Sequence, residues 1–341
     1  MTNTDNAPPA PVQLLRMMSG YTISQMIHVA AKLDLADRLV TTPKTAEELA
    51  NETNTHPRSL YRLLRALASV GIFAEEENGQ FTLTPLAEPL REDSPESKKA
   101  AAVMLGEEHY LAYADLLHSI QTGETAFEKR FGQPIFDYLS ENSGAAKTFD
   151  GAMTSIHGPE TKAMIQAYDF SKFGTLIDVG GGNGSTLFQV LRHCPDLKGI
   201  VFDLPSVVER TQQRILEAGL HDRCQAVGGN FFDGIPKGGD AYLLRHIIHD
   251  WEDAKSVAIL KRCREAMNRD ARLLVAEGVI GPGNEPSSTK LLDIAMMVIP
   301  GGQERTEPEY KQLFHAAGLR LTRIVPTEAA VSLIEGVPAT E

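Results

Sequence analysis

A chain of 341 residues is longer than one hydrophobic core usually serves, which favours two domains. Its 33 Lys/Arg against 45 Asp/Glu leave a net charge of −12, which argues against a general nucleic-acid binder, because such a protein must replace phosphate counterions with Lys and Arg. Three scattered cysteines, Cys194, Cys224 and Cys263, give neither a disulfide framework nor a zinc spacing. A polar, proline-rich start without an apolar signal core and the lack of any run of about 18 apolar residues complete the expectation of a cytoplasmic chain with no membrane span.

Residues 1–11 read as a disordered tail. Residues 12–40 carry helical spacing but little charge: Leu14, Leu15, Met17, Met18, Ile23, Met26, Ile27, Val29, Leu33 and Leu35 are too many apolar side chains for one exposed face. Their burial calls for a second subunit, so a homodimer is expected. Thr45 followed by Glu48 is a capping box that starts a helix. Pro57 opens the next helix, with Leu60, Leu63, Leu64 and Leu67 on one face, and Gly71 closes it. "GIFAEEENGQFTLT" then reads as a hairpin turning at Asn78-Gly79. Helix, helix, hairpin is a winged-helix-like pattern, and residues 12–100 are taken as one domain. Residues 41–95 hold five basic and nine acidic side chains, 5 − 9 = −4, and the wing carries Glu75, Glu76 and Glu77. Phosphate would be repelled, so the domain reads as a dimerisation scaffold with no nucleic-acid partner rather than a regulator.

Residues 101–170 read as a helical connector that contributes to a substrate pocket. From residue 171 to 341 the pattern is α/β. Apolar runs at 176–179, 199–204, 224–227, 241–248 and 272–280 alternate with helices near 185–193, 206–218 and 252–268, which means a parallel sheet covered on both faces. "LRLTRIVPT" and "AVSLIEG" add an antiparallel hairpin at the sheet edge.

"LIDVGGGNGS" is a strand running through glycines into a helix. Asp178, Gly180, Gly182 and Gly184 give Asp-x-Gly-x-Gly-x-Gly. Ser185 stands where the dinucleotide fingerprint needs its third Gly or Ala, which weighs against an NAD oxidoreductase. Asp203 ends the next strand, 19 residues after Gly184, where a carboxylate can accept both hydroxyls of a ribose. The cofactor is therefore of nucleoside type.

With "DAYLLRHIIHDW", "LVAEGVI" and "PGGQERT", the chain from residue 12 onward resembles the small-molecule S-adenosylmethionine-dependent O-methyltransferases of the caffeic acid and acetylserotonin type, in their bacterial branch. The resemblance implies a Rossmann-like class I methyltransferase domain behind an N-terminal winged-helix-like dimerisation domain, with S-adenosylmethionine as cofactor and a small hydroxylated acceptor from secondary metabolism. It implies that Gly180 and Gly182 lie against the methionine part of the cofactor, that Asp203 holds the ribose, and that Leu204 lies beside the adenine. Asn230 stands where the family usually has an aspartate on the adenine amino group; its carbonyl can accept the same hydrogen bond without charge assistance. Phe231 would pack on the adenine, Trp251 would stack near it, and Arg245 and His246 would meet the cofactor's far side. Phe149, Met153, Ile156, Met296, Met297 and Ile299 lie where the family lines its acceptor pocket; Met at such spacing is equally common as plain core.

Methyl transfer to a phenol of pKa about 10 needs a base at neutral pH, and histidine suits that task. His249, in His249-Asp250-Trp251, closes the run 241–248 where strand ends face the ligand crevice. Two acids are placed to hold its second nitrogen, Glu277 at the end of the next strand and Glu304 after "GGQ", and the resemblance gives both an orienting role. No metal is expected. The rival within the same fold is an S-adenosylmethionine-assisted decarboxylase or hydroxylase, and the presence of His249 favours methyl transfer over it.

Overall fold

The computed structural model describes residues 8–339, which fall into two compact units: residues up to 111 with 142–156, and residues 112–141 with 157 onward. The expected connector 101–170 is therefore not a body of its own; its helices are shared out between the two units. Of the expected tail, residues 1–7 lie outside the described residues. Ala10 and Pro11 are already helical, with Pro11 in the first turn, where its missing N–H leaves no hydrogen bond unmade.

In the first unit, α1 (Ala10–Met18), α2 (Gly20–Lys32) and α3 (Leu35–Arg38) lead to β1 (Lys44–Thr45), α4 (Ala46–Thr53), α5 (Pro57–Ser69), β2 (Phe73–Glu75), β3 (Gln80–Leu83) and α6 (Lys99–Gly106). The Thr45 side chain accepts the Glu48 N–H and Glu48 accepts the Thr45 N–H, the capping box expected at the start of α4. Leu60, Leu64 and Leu67 of α5 are buried with Leu35, Leu49, Phe73 and Phe81, and the antiparallel order β1-β3-β2 completes the helix–helix–hairpin arrangement. Burying each such side chain is worth roughly 1.5–3 kcal/mol. No residue of α1 is buried.

After α7 (Glu108–Tyr113) come α8 (Leu116–Thr122), α9 (Ala126–Phe131), α10 (Ile135–Glu141) and α11 (Ser143–Ala167), whose halves belong to different units. Pro159 inside α11 cannot donate to the Ser155 carbonyl, and the Lys98 ammonium donates to it instead.

The second unit continues through β4 (Thr175–Val179), α12 (Ser185–His193), β5 (Lys198–Asp203), α13 (Pro205–Glu217), β6 (Cys224–Gly228), β7 (Ala241–Arg245), α14 (Asp253–Ala266), β8 (Arg272–Glu277), β9 (Val279–Ile280), α15 (Ser288–Val298), β10 (Arg305–Thr306), α16 (Glu307–Ala316), β11 (Leu319–Pro326) and β12 (Ser332–Pro338). The sheet order is β11-β12-β8-β7-β4-β5-β6, parallel from β8 to β6, with the antiparallel hairpin at the edge as expected. Successive residues point to opposite faces: Leu176, Leu243, Leu274 and Ala276 enter one core, and Ile177, Tyr242, Leu244, Leu273 and Val275 the other. The chain runs outward from β4 to β6 and then returns to β7 on the other side, so the crevice opens where β4 and β7 end.

Two runs are shorter than their apolarity predicts. Strand 241–248 stops at Arg245, because His246 takes a left-handed backbone (φ +53°) and the chain turns into a 3-10 turn at Ile248–Asp250. The run 272–280 breaks at Gly278 into β8 and β9, and β9 pairs with β10 instead. Among the described residues, no helix is long and apolar enough to cross a membrane.

Candidate active site

Four loops at the carboxyl ends of the strands carry the residues expected to meet a cofactor. After β4, Gly182 has φ +56°, and a Cβ there would meet nothing within 4 Å, so the backbone presents an open cradle. Asp203 at the end of β5 holds that cradle: its Oδ2 accepts the Gly182 N–H at 2.7 Å and its Oδ1 the Leu204 N–H at 2.7 Å. Thr211 Oγ1 donates to Gly182 O at 2.8 Å from α13. Beneath the loop Asp178 is buried, its Oδ2 meets no hydrogen-bond partner among the described residues, and burial raises its carboxyl to about 7. After β6, the ring of Phe231 meets Phe232 at 5.0 Å and Trp251 at 6.1 Å, both edge to face. Phe136 stacks on Trp251 at 6.0 Å. An open glycine turn, a carboxylate at the next strand end and an aromatic cluster fit an adenine nucleoside.

The Asn230 side chain also has a role within its own loop. Its Oδ1 accepts the Phe232 N–H at 3.0 Å, so the oxygen expected on the adenine is partly engaged in its own loop.

His249 lies in the turn after β7, 4% exposed, and its Nδ1 is 2.6 Å from Glu304 Oε1. Glu304 is itself buried, and its N–H donates to Asp293 Oδ1 at 2.8 Å. The two loops meet because residue 302 is glycine: a Cβ there would fall on the His249 carbonyl oxygen. Gln303 N–H donates to that oxygen at 2.9 Å. Arg305, fully buried, donates to the carbonyls of Ile248 (3.1 Å) and Trp251 (2.8 Å) and to Asp253 Oδ1 (2.9 Å). His249 Nε2 lies 3.6 Å from Asp250 Oδ1, too far for a hydrogen bond. Burial alone would lower the His249 pKa; the carboxylates of Asp250, Glu304 and Glu277 overcome it and raise it to about 9.

Glu277 does not touch the His249 ring, contrary to the expectation that it would hold the second nitrogen. Its Oε1 accepts the backbone N–H groups of Ile247 (3.1 Å), Ile248 (2.6 Å) and His249 (3.1 Å), and its Oε2 accepts the Tyr310 hydroxyl at 2.7 Å. It fixes the turn that carries the histidine, and among the carboxylates of the described residues Glu304 is the one hydrogen-bonded to the ring.

Arg245 and His246 are drawn to α11. Arg245 Nη1 donates to Thr161 Oγ1 (2.6 Å) and Thr186 Oγ1 (2.7 Å); Nη2 donates to the His157 carbonyl and to Glu160 Oε2, the latter at 2.9 Å. Glu160 Oε2 also lies 2.8 Å from His246 Nε2 and 3.0 Å from His157 Nδ1. Burial would raise the Glu160 carboxyl, but the two histidines hold it far below the usual range. The ligating atoms of His157, Glu160 and His246 lie within 4.8 Å of one another, a spacing that would admit a metal ion. Both histidine nitrogens converge on the oxygen itself, and the Arg245 guanidinium occupies the same oxygen, so the group forms a hydrogen-bonded knot.

Phe149, Met153 and Ile156 pack in the first unit around Ala101, Met104 and Ala152. Met296 and Met297 are half-buried on α15 in the second unit, and Ile299 is buried just after it. Sequence reasoning missed His157, Glu160, Phe136, Asp293 and Tyr310. Arg305 was visible only as a letter of "GGQERT".

An O-methyltransferase domain model matches residues 113–320, and an O-methyltransferase dimerisation domain model matches residues 15–93. The chain is 45% identical over 340 residues to phenazine O-methyltransferase PhzM of Lysobacter antibioticus, covering 99% of this chain and 100% of that one. Its structure is similar to the crystal structure of LaPhzM (TM-score 0.95, 45% identity, 97% of this chain and 100% of that one). It is also similar to an O-methyltransferase of neocarzinostatin biosynthesis solved with S-adenosylmethionine and 2-hydroxy-5-methyl naphthoic acid (TM-score 0.83, 34% identity, 92% and 95% covered).

Proposed function

Because the chain belongs to the S-adenosylmethionine-dependent O-methyltransferases, we propose that it methylates a ring hydroxyl of a planar, fused aromatic acceptor, with His249 as the base that takes the hydroxyl proton. The observation that carries this reading is the buried His249–Glu304 pair, Nδ1 to Oε1 at 2.6 Å, beside the crevice. Glu304 accepts from Nδ1 and so leaves Nε2 as the basic nitrogen. When bound, S-adenosylmethionine supplies a sulfonium-activated methyl group. Gly180, Gly182, Asp203, Leu204, Phe231 and Trp251 are the residues we assign to holding it, with Asn230 contributing through the remaining lone pair of its carbonyl oxygen. His249 Nε2 takes the proton of the acceptor hydroxyl as the oxygen–carbon bond forms and the carbon–sulfur bond breaks. Glu277 keeps the turn rigid meanwhile by its three backbone hydrogen bonds. Met296 and Met297 are the adaptable apolar side chains we assign to the acceptor pocket.

A relative named as a phenazine O-methyltransferase and a neighbour solved with a hydroxynaphthoic acid support the fused aromatic class. Incubation with S-adenosylmethionine and a panel of hydroxyphenazines, hydroxynaphthoates and simple phenols should give a product about 14 Da heavier on a fused acceptor, read by mass spectrometry. Methylation of simple phenols alone, or of none, would sink the assignment.

We also infer a homodimer. Leu14, Leu15, Met17 and Met18 of α1 are 60–79% exposed in one chain, at the start of the segment 15–93 matched by the dimerisation domain, and a second copy is the partner that would bury them. Light scattering at low micromolar concentration should return twice the 37.2 kDa chain mass; a monomer would contradict it.

A further inference from the structure

His246 is held in an unusual state beside the base. Its backbone is left-handed (φ +53°), a conformation disfavoured for residues with a Cβ. Its Nε2 lies 2.8 Å from Glu160 Oε2, and that oxygen also accepts from Arg245. Glu160 stays a carboxylate and has no proton to give, so the hydrogen of this bond sits on His246 Nε2. The other nitrogen, Nδ1, is then a bare lone pair. It is buried and meets no donor among the described residues. The His157 ring stacks on His246 at 3.8 Å, and the His249 ring lies 4.9 Å away. Burial and the neighbouring His157 keep His246 uncharged. The outcome is a fixed, neutral acceptor atom on the ring next to the one that takes the substrate's proton. A buried acceptor of this kind costs stability unless a donor arrives with the ligand.

We propose that His246 selects the methyl acceptor: its Nδ1 takes a hydrogen bond from a hydroxyl or amino group on the ring position next to, or peri to, the hydroxyl that is methylated. Vicinal and peri substituents are close enough for one aromatic system to meet both histidines. A carboxylate, a carbonyl or a methoxy group in that position has only lone pairs to offer and is disfavoured by the same nitrogen. The inference rests on the reading of His249 as the base. It assigns His246 to the acceptor and not to the cofactor. Glu160 is the positioning residue that fixes the tautomer.

The test uses the full-length enzyme and matched pairs of fused aromatic acceptors that differ only in carrying OH or NH2, as against H or OCH3, beside the reacting hydroxyl. The wild-type enzyme should favour the donor-bearing member by roughly 10- to 100-fold in kcat/KM, the range expected when a buried polar atom is left unpaired by the other member. His246→Leu should bring that ratio to within about threefold, while the Kd of S-adenosylhomocysteine by calorimetry moves less than about threefold. Glu160→Gln, which loosens the tautomer lock, should narrow the ratio by several fold, and it serves if the leucine variant does not fold. No preference in the wild type, or a preference unchanged in either folded variant, overturns the proposal. So does a loss of S-adenosylhomocysteine affinity with the acceptor ratio intact, which would give Nδ1 to the cofactor's ammonium. Methyl transfer without the preference defeats this inference alone; absence of methyl transfer defeats the proposed function.

Discussion

Replacing His249 with glutamine should lower kcat/KM on an un-ionised phenolic acceptor by roughly 100- to 10,000-fold, the usual worth of a general base, while S-adenosylhomocysteine affinity stays within a few fold. Glutamine keeps the length and planarity of the side chain and can still donate to Glu304, so the turn has no reason to collapse. Its amide has no useful basicity, so the acceptor proton must leave without help. The residues assigned to the cofactor, Gly182 clamped by Asp203 and the aromatic group of Phe231 and Trp251, do not use the His249 imidazole, although Trp251 shares its turn. The loss should shrink as the acceptor's own pKa falls, because an acceptor already ionised at the assay pH needs no base. Full activity of His249→Gln on an un-ionised phenol would mean that proximity alone, or a base elsewhere, carries the reaction.

The architecture was legible in the sequence for a physical reason: strands buried on both faces are uniformly apolar, and the alternation of such runs with helices leaves few topologies. The winged-helix-like unit was legible through its punctuation, with Thr45–Glu48, Pro57 and Asn78-Gly79 each marking a boundary the structure keeps. Strand 241–248 was overextended because Ile248 is fully buried like a strand residue, although it belongs to a turn whose N–H groups are satisfied by Glu277. Glu277 and Glu304 looked equivalent, since one ends a strand at the crevice and the other stands at the mouth of the last helix. Only the folded register decides which carboxylate meets the imidazole and which meets the backbone. Glu160 was hidden because its partner His246 lies 86 residues away. Nothing local marks a helix glutamate as the acceptor for an arginine and two histidines. Arg305 escaped because arginines are seldom fully buried, and its clamp of six hydrogen bonds to five residues exists only once residues 248–256 and 303–305 are brought together. Phe149, Met153 and Ile156 carry the spacing of a core-facing helix, and the packing of their own unit accounts for it.

The second large effect concerns the strength of the base. With a phenol of pKa about 10, an ordinary imidazole at about 6.5 makes proton transfer uphill by about 3.5 units, close to 5 kcal/mol. His249 raised to about 9 narrows that gap to about one unit, or about 1.4 kcal/mol. The same carboxylates impose a cost at neutral pH, since most of the free enzyme then carries imidazolium, which cannot accept a proton. The sign follows directly: the active form is the deprotonated one, so activity is lost as pH falls below the raised pKa. Removing the charge of Glu304 lowers the His249 pKa, moves the acid limb to lower pH, and leaves a weaker base with a lower plateau.

The pH dependence of kcat/KM for a phenolic acceptor of pKa about 10, measured in parallel on the wild type and on Glu304→Gln, tests that account most directly. The wild type should climb about tenfold per pH unit from pH 7, a gain of roughly 100-fold, and level off near pH 9, where His249 is half deprotonated. Glu304→Gln should level off at a distinctly lower pH and at a lower rate. A wild-type limb that breaks near the ordinary histidine value and does not move when Glu304 loses its charge would contradict the claim that the buried His249–Glu304 pair is the base of this methyltransferase.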